Sequence, residues 1–325
     1  MLAAMVDRLL KATCQTVHLG GFSAQLVPAL TIDSGDRIEV ETFTGFTVCD
    51  RAPAAFAPPE LLEIRHNLPA DRRVGQGPHL LTGPIFVRDA KPGDVLEVRL
   101  EAIWPRLSMG FNVIRPGWGA LPDRFSAPAL RFIELDLDAN VAEFPRQSGI
   151  LIPLQPFFGI LGVATQEVGN SSVPPGNYGG NIDNRHLQPG ARLFLPVQVP
   201  GALFSIGDGH AAQGDGEVDV TAIETAMNGR VVLVLRKDLS LTRPLAETPT
   251  HFIFMGFAET LDRALQAALE QAIAFLEQYL SLDAEEAYVF CSLAVNFHIT
   301  QVVNAPRKGV HGLLSKSLLP GAIAL

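Results

Sequence analysis

The 325-residue sequence is short of cysteine, of charge and of long apolar runs, and each shortage removes a class of protein. Its three cysteines, Cys14, Cys49 and Cys291, are odd in number, widely spaced and without a Cys-x-x-Cys pair. That excludes a disulfide framework and a thiolate zinc site, and each is expected to be a small buried apolar residue. Charged residues make up only 18%, and Lys and Arg (25) are outnumbered by Asp and Glu (34), for a net charge of −9. The acidic residues are scattered, so there is no basic footprint for nucleic acid or for an anionic membrane. The longest charge-free stretch, Gln147 to Gln166, is broken by Gly149, Pro153, Pro156, Gly159 and Gly162, which is not how a bilayer helix is built. Asp7 and Arg8 interrupt any apolar run that would serve as the core of a secretion signal, so the expected location is the cytoplasm.

Glycine (29) and proline (24) are plentiful and hydrophobic residues reach 47%, the composition of a globular, turn-rich chain. Three segments share a pattern: Thr31 to Val40, Val87 to Val98, and Arg185 to Leu195. Each reads as strand, tight turn, strand, with Ser34-Gly35, Pro92-Gly93 or Pro189-Gly190 at the turn. Pro or Ser followed by Gly suits a type II turn, and the alternation Ile38, Val40 or Leu96, Val98 presents one apolar face. The unit is expected to be hairpin-like. Further strands are expected at Glu217 to Ile223, Arg230 to Arg236 and His251 to Met255. Helical periodicity is clear near the C-terminus, where Leu261, Leu265, Ala268, Ala272 and Leu276 fall on one face. Asp283 and Glu286 form a capping-box pattern opening a second helix, and Leu2 to Thr13 is expected to be a short helix. The predicted fold is α+β, predominantly β: antiparallel sheets in a sandwich or barrel-like arrangement with a C-terminal amphipathic helix pair at about 260–294. No composition break divides 1–325 into separate domains.

The chemistry concentrates in two stretches, Tyr178-Gly-Gly-Asn-Ile-Asp-Asn184 and Val199 to Glu224. Five glycines between 201 and 216 interleave with Asp208, His210, Gln213, Asp215 and Glu217. Glycine lets backbone pass close to a ligand, while Asp and His are donors for a divalent cation. In an extended chain Asp208 and His210 project to one side, as do Asp215 and Glu217, so both pairs are expected to face one cavity. Glu224 falls in phase with Val218, Val220 and Ala222, which puts a carboxylate on an apolar face, where it needs a cation, a hydrogen-bond network or a raised pKa. The plainer reading is that Gly-Asp-Gly is an ordinary solvated turn. Ser205, Asp208 and His210 are also close enough in sequence to suggest a serine nucleophile, although position 203 is Leu and the Gly-x-Ser-x-Gly elbow is incomplete. Periodicity singles out none of the remaining histidines.

At these residues the sequence resembles the acetamidase/formamidase family. The markers are Thr82 to Val87 with Pro92-Gly-Asp94, Pro156 to Val163, Gly179-Gly-Asn-Ile-Asp183, Leu195 to Ser205, and Gly207 to Glu217. The resemblance extends to His18, to Glu286-Ala-Tyr288, and to Ile299 to Val303 with Lys308-Gly-Val310, which covers nearly the whole chain at a length similar to the shorter, acetamidase-like branch. It implies a β-rich hydrolase that turns a short amide into carboxylate and ammonia at a cation-containing site. Asp183, Asp208 and His210 stand in matching motifs and are the expected metal ligands, with zinc or calcium as the ion. Glu217, or failing that Glu224, is expected to move protons, Asp208 joins the catalytic group, and Asn181, Gln213 and the Gly209 backbone are candidates to stabilise the oxyanion. A metal-free serine amidohydrolase using Ser205, or a non-catalytic β-sandwich binding protein holding a structural calcium, are the alternatives. Two segments depart from the family's pattern: Phe43-Thr-Gly-Phe46, where an Asp-containing segment is usual, and Asp219-Val220, where small or thiol residues are common. A small-molecule partner and, from a mean hydropathy of +0.22, a homo-oligomer are expected.

Overall fold

The computed structural model describes residues 7–167, 169–323 and 325. A nine-stranded sheet runs in the order Asp7–Leu10, Arg37–Glu41, Met227–Arg236, Val95–Pro105, Arg192–Pro196, Leu245–Glu247, His251–Ala258, Lys308–Ser315, Val295–Gln301. A second sheet runs Gly179–Asn181, Phe157–Gly162, Phe204–His210, Leu80–Val87, Val17–Leu19, with Leu30–Ile32 paired parallel to Leu80–Val87. A smaller sheet, Leu151–Pro153, Val141–Glu143, Ala129–Asp136, Met109–Ile114, flanks them. Pairing is mostly antiparallel, and no sheet closes into a barrel among the described residues.

Side-chain alternation layers the molecule. In the nine-stranded sheet Leu96, Val98, Leu193, Leu195, Ile253 and Met255 share one core with Leu81, Ile85, Ile160 and Ile206 of the second sheet. The intervening Val95, Phe194, Phe252 and Phe254 face the other way, onto the helices Leu261–Leu280 and Ala284–Ala294. Period-2 alternation thus serves two cores at once, and each large apolar side chain fully buried contributes roughly 1.5–3 kcal/mol. Phe275 of the long helix meets Phe252 and Phe254 at centroid distances of 4.7 and 5.3 Å.

The helix pair matches expectation in position, but its buried face is rotated: Ala264, Ala268, Ala272, Phe275 and Leu276 are buried while Leu265 is exposed. Thr260 caps the first helix, and the Asp283–Glu286 capping box opens the second. That second helix exposes Tyr288, Val289 and Leu293. All three cysteines are free and buried. Among the described residues no helix is long and apolar enough to cross a membrane.

Three expectations are corrected. The repeated turns do have the required glycine geometry, with φ of 95° at Gly35, 98° at Gly93 and 91° at Gly190. They are not hairpins, however. Leu30–Ile32 and Leu80–Val87 lie in one sheet, whereas the strands that follow them, Arg37–Glu41 and Val95–Pro105, lie in the other. The turns are corners between sheets, fastened by Gly35 N–H to Leu233 O at 2.8 Å and Gly93 N–H to Val197 O at 3.1 Å. Before Gly190 the chain is turn rather than strand. Second, Asp7–Leu10 is a strand, pairing parallel with Arg37–Glu41, because its partner's exposed edge offers hydrogen bonds that a short isolated helix lacks; Leu2 to Val6 lie outside the described residues. Third, Glu217 to Ile223 is irregular, with positive φ at Glu217 and Val220 and Val218 exposed.

The long helix lies directly on the sheet at Gly256, where an added Cβ would meet Ala264 O at 2.0 Å and Ala268 N at 2.5 Å. Gly256→Ala is therefore expected to push the helix off its sheet and destabilise the fold by about 1–3 kcal/mol, the usual cost of overpacking, read as a lower midpoint in urea at an unchanged slope.

Candidate active site

The second sheet is the platform. Phe157–Gly162 lies between Gly179–Asn181 and Phe204–His210, and its central Gly159 carbonyl accepts the N–H groups of Ile182 and Asp183 at 3.0 and 3.1 Å. This turns Asp183 back over the sheet with φ of 51°. Asp208 (φ 59°) sits in the neighbouring strand, and Glu217 (φ 45°) ends the glycine-rich loop. Left-handed backbone is uncommon outside glycine and concentrates at functional sites; here it occurs at three acidic residues that converge. Glu224 arrives through short bridges to His210 and to Phe111, with Phe111 N–H donating to Glu224 O at 2.9 Å and Glu224 N–H to Phe111 O at 2.8 Å.

Asp183, Asp208, His210, Glu217 and Glu224 are all buried. His210 is their centre. Its Nε2 lies 3.2 Å from Glu224 Oε1 and 3.5 Å from Asp208 Oδ2, and its Nδ1 lies 3.8 Å from Asp183 Oδ1. Ligand atoms of Asp208, His210 and Glu224 fall within 4.8 Å of one another, as do those of Asp183, His210 and Glu217. The expected set of Asp183, Asp208 and His210 therefore straddles two groupings that share the imidazole.

Space is made at Gly159. A Cβ there would come within 2.4 Å of Asp183 Oδ1, 2.7 Å of His210 Cε1 and 2.9 Å of Asp208 Oδ2. Next to these groups is a cavity of about 110 Å³ lined by His79, Asn181, Asp208, Glu217, Glu224 and Asn304. It shares Glu217 and Thr221 with a wide cleft of about 1710 Å³ bounded by the smaller sheet.

Gathering charges out of water shifts them apart. Burial pushes Asp183 up to about 7, against the pull of His210, with Asp208 adding to the rise. Burial and the nearby Asp183 raise Glu217, and burial raises Glu224 despite His210. Asp208 ends below its ordinary value, because His79 and His210 outweigh the burial that would raise it. His210 ends above its own, because Glu224 and Asp208 outweigh its burial. Burial and mutual repulsion thus push Asp183, Glu217 and Glu224 one way, while the neighbouring imidazoles hold Asp208 the other way.

Several buried atoms have no hydrogen-bond partner: Asp183 Oδ1, both ring nitrogens of His210, Glu217 Oε2 and Asn181 Oδ1. Unpaired oxygens and nitrogens concentrated at one point, with room at Gly159, fit a divalent cation. The donor set, carboxylates with one imidazole, suits such an ion.

Other expected residues are placed as follows. Asp215 leaves the group and pairs with His298 at 3.6 Å, since the left-handed turn at Gly216 and Glu217 sends the two acids to different sides. An N–H of Asn181 donates to Val173 O at 3.2 Å and one of Gln213 to Asp183 O at 2.9 Å; what each leaves unpaired is an acceptor oxygen. Gly209 holds the sheet: its carbonyl accepts Thr225 N–H at 2.7 Å, and an added Cβ would meet Thr225 O and Met227 rather than the carboxylates. Ser205 is separate from Asp208 and His210. Its partner is His18, with Nε2 to Oγ at 2.8 Å in full burial, and it does not line the cavity.

Sequence reasoning missed three contributors. His79 Nε2 lies 3.9 Å from Asp208 Oδ2, held by Ser172 Oγ at 2.8 Å from Nδ1. Asn304 donates to Asp183 Oδ2 at 2.5 Å and to Asn181 O at 3.2 Å. Neither carries a local pattern. Gly159 does, as part of the Pro156 to Val163 marker.

The model of the acetamidase/formamidase family matches residues 73–168 and 164–315. The chain belongs to the acetamidase/formamidase family. A formamidase of Methylophilus methylotrophus is 26% identical over 300 residues, 70% of this chain and 74% of that one. An acetamidase of Mycolicibacterium smegmatis is 30% identical over 199 residues, 43% of this chain and 49% of that one. The chain thus spans from about half to three quarters of these relatives. A crystal structure of a predicted acetamidase/formamidase from Thermoanaerobacter tengcongensis superposes with a TM-score of 0.83 at 29% identity, covering 97% of this chain and 98% of that one.

The buried His18 gives a pH test. Burial, helped by Arg72, lowers its pKa to about 3, while in the unfolded chain it is about 6.5. Between those values the unfolded chain binds a proton that the folded chain refuses, so the contribution to stability is complete above pH 6.5 and is lost as pH falls. In urea melts the stability of the native protein should drop by on the order of 3 kcal/mol from this group by pH 4, and His18→Gln should flatten the pH dependence by that amount.

Proposed function

We propose that this chain hydrolyses a short linear amide to a carboxylate and ammonia in the cavity beside Asp208, Glu217 and Glu224. The observation that carries this reading is the buried group of carboxylates around His210, with unpaired ligand atoms opening on a small cavity. At roughly 10–15 Å³ of such volume per water, the cavity of about 110 Å³ takes several waters or one small substrate. Likeness to the formamidase and the acetamidase supports the same chemistry.

An unactivated amide needs a polarised carbonyl, a nucleophile and a proton for its leaving nitrogen. Asp183, Asp208 and His210 would hold a divalent cation, zinc or calcium, which when bound supplies Lewis acidity to the carbonyl and to the attacking water. Glu217 takes the proton of that water and returns it to the departing nitrogen, work that typically contributes on the order of 10²–10⁴ in rate. Its position between the cavity and the wide cleft and its raised pKa suit that role; Glu224 is the second choice, because Ala222 N–H at 3.1 Å already occupies one of its oxygens. Asp208, held below its ordinary value by His79 and His210 against its burial, would bring negative charge to that ligand set. Asn181 Oδ1 is an acceptor for the N–H of a bound amide, in place of the oxyanion role expected from sequence.

Thr44, Gly45, Phe46 and Val220, from the two departing segments, all line the cavity, so preference among acyl groups follows from these residues. Dialysis against a chelator should abolish ammonia release from a panel of formamide, acetamide and larger amides, and added Zn²⁺ or Ca²⁺ should restore it; full turnover by protein verified free of metal would defeat the cation's role. Ser205→Ala, by contrast, should keep kcat/KM within about tenfold of the native value, because the Ser205 hydroxyl is spent on His18 away from the cavity; complete loss of turnover in a folded variant would favour the serine mechanism.

A further inference from the structure

A second cluster of ligand-type side chains lies outside the carboxylate group. His186 comes from the turn after Asp183, Asp215 from the loop Gly214–Gly216, and His298 and His311 face each other across the paired strands Val295–Gln301 and Lys308–Ser315. One ligand atom each of His186, Asp215 and His311 lies within 4.8 Å of the others. His298 Nδ1 is 3.6 Å from Asp215 Oδ2, and its ring stacks on His311 with centroids 5.4 Å apart. The His186 ring meets His311 edge-on at 5.1 Å.

Hydrogen bonding leaves this cluster incomplete. His311 is wholly buried, and its Nδ1 pairs with Thr300 Oγ1 at 2.8 Å, yet its Nε2 has no partner. The buried Nε2 of His186 has none either. Two orphaned ring nitrogens close to one carboxylate are costly unless something sits among them. An imidazole whose Nδ1 is tied to an oxygen, as His311 is to Thr300, leaves its Nε2 for a ligand, as metal-binding histidines do.

We infer that His186, Asp215 and His311 form a second divalent-metal site of the zinc class, distinct from the Asp183–Asp208–His210 group, with His298 beside it as a further nitrogen donor. Two imidazoles and one carboxylate favour zinc-like ions over calcium or magnesium. The ion would join three segments remote in sequence. Gly216 N–H already donates to Thr300 O at 3.0 Å, and Val302 N–H to Gly216 O at 3.1 Å, so a bound ion completes a clamp on the loop that carries Glu217. Its function is then to position Glu217, not to touch substrate.

The test is metal content per chain and the visible spectrum of Co²⁺-loaded protein, in the full chain stripped with chelator and then titrated with Zn²⁺ or Co²⁺. His186→Asn and Asp215→Asn, both at side chains near the surface, are preferred to changes at the buried His311, with circular dichroism confirming the fold. Each is expected to lose one equivalent of bound ion, with at least about 100-fold weaker zinc binding at this site, and to lose the Co²⁺ absorption of that site, while Asp208→Asn keeps this equivalent and this absorption and loses only an ion held at its own group. If His186→Asn and Asp215→Asn retain the native zinc content and Co²⁺ spectrum, or if the native protein's bound ion responds only to Asp208→Asn, the second site is overturned while the hydrolytic reading stands. One equivalent lost in His186→Asn and a different one lost in Asp208→Asn support both sites, whereas an ion lost in His186→Asn with the full native content kept in Asp208→Asn supports the second site and counts against the first.

Discussion

Enclosing four carboxyl groups around one imidazole, away from water, is the constraint from which the rest of this structure follows. Like charges that cannot be screened by solvent must take up protons, pair, or share a cation. Asp208 and His210 do the pairing; Asp183, Glu217 and Glu224 are left with raised pKa values. An arrangement this unfavourable by itself persists only where the surrounding structure over-determines it. The left-handed backbone at Asp183, Asp208 and Glu217, and the space left by the missing side chain at Gly159, are the local marks of that over-determination.

The sandwich supplies the rigidity. One face of the second sheet is sealed against the nine-stranded sheet by Ile160, Ile206 and their neighbours, and the nine-stranded sheet is in turn backed by the helix pair. The strand Phe157–Gly162, held on both sides, offers the carbonyl of Gly159 as the anchor that turns Asp183. Asp208 and His210 are therefore built on sheet, Asp183 and Glu224 are fastened to it by backbone hydrogen bonds, and the exception is Glu217. That residue rides on a loop tied to the C-terminal strands by Gly216 and Thr300, which is where the histidine cluster acquires its significance.

The same imidazole serves two sets of carboxylates, one at each ring nitrogen. This arrangement explains why residues from four stretches of chain are needed and why replacing any one disturbs the others: the charges are coupled, and a proton removed from one carboxyl is felt by the rest. The wide cleft and the small cavity divide the work of access and enclosure, meeting at Glu217 and Thr221.

Composition and local pattern alone determined that the chain is a turn-rich β protein with two capped helices toward its C-terminus, because alternation, helical period and capping are properties of neighbours in sequence. The glycine positions of the three turns were legible for the same reason. So was the concentration of Asp, His and Gly between 178 and 224, and with it the candidates Asp183, Asp208, His210, Glu217 and Glu224. Tertiary structure decided what those turns connect, since a type II turn has the same local geometry whether its strands pair or diverge into separate sheets. It also separated Asp215 from Glu217, gave Ser205 to His18, and brought Glu224 to His210 by a short bridge instead of the strand its spacing suggested. His79, Asn304 and the His186–His311 group carry no local signal at all, because their meaning is proximity across more than a hundred residues, and proximity is a property of packing that sequence spacing does not contain.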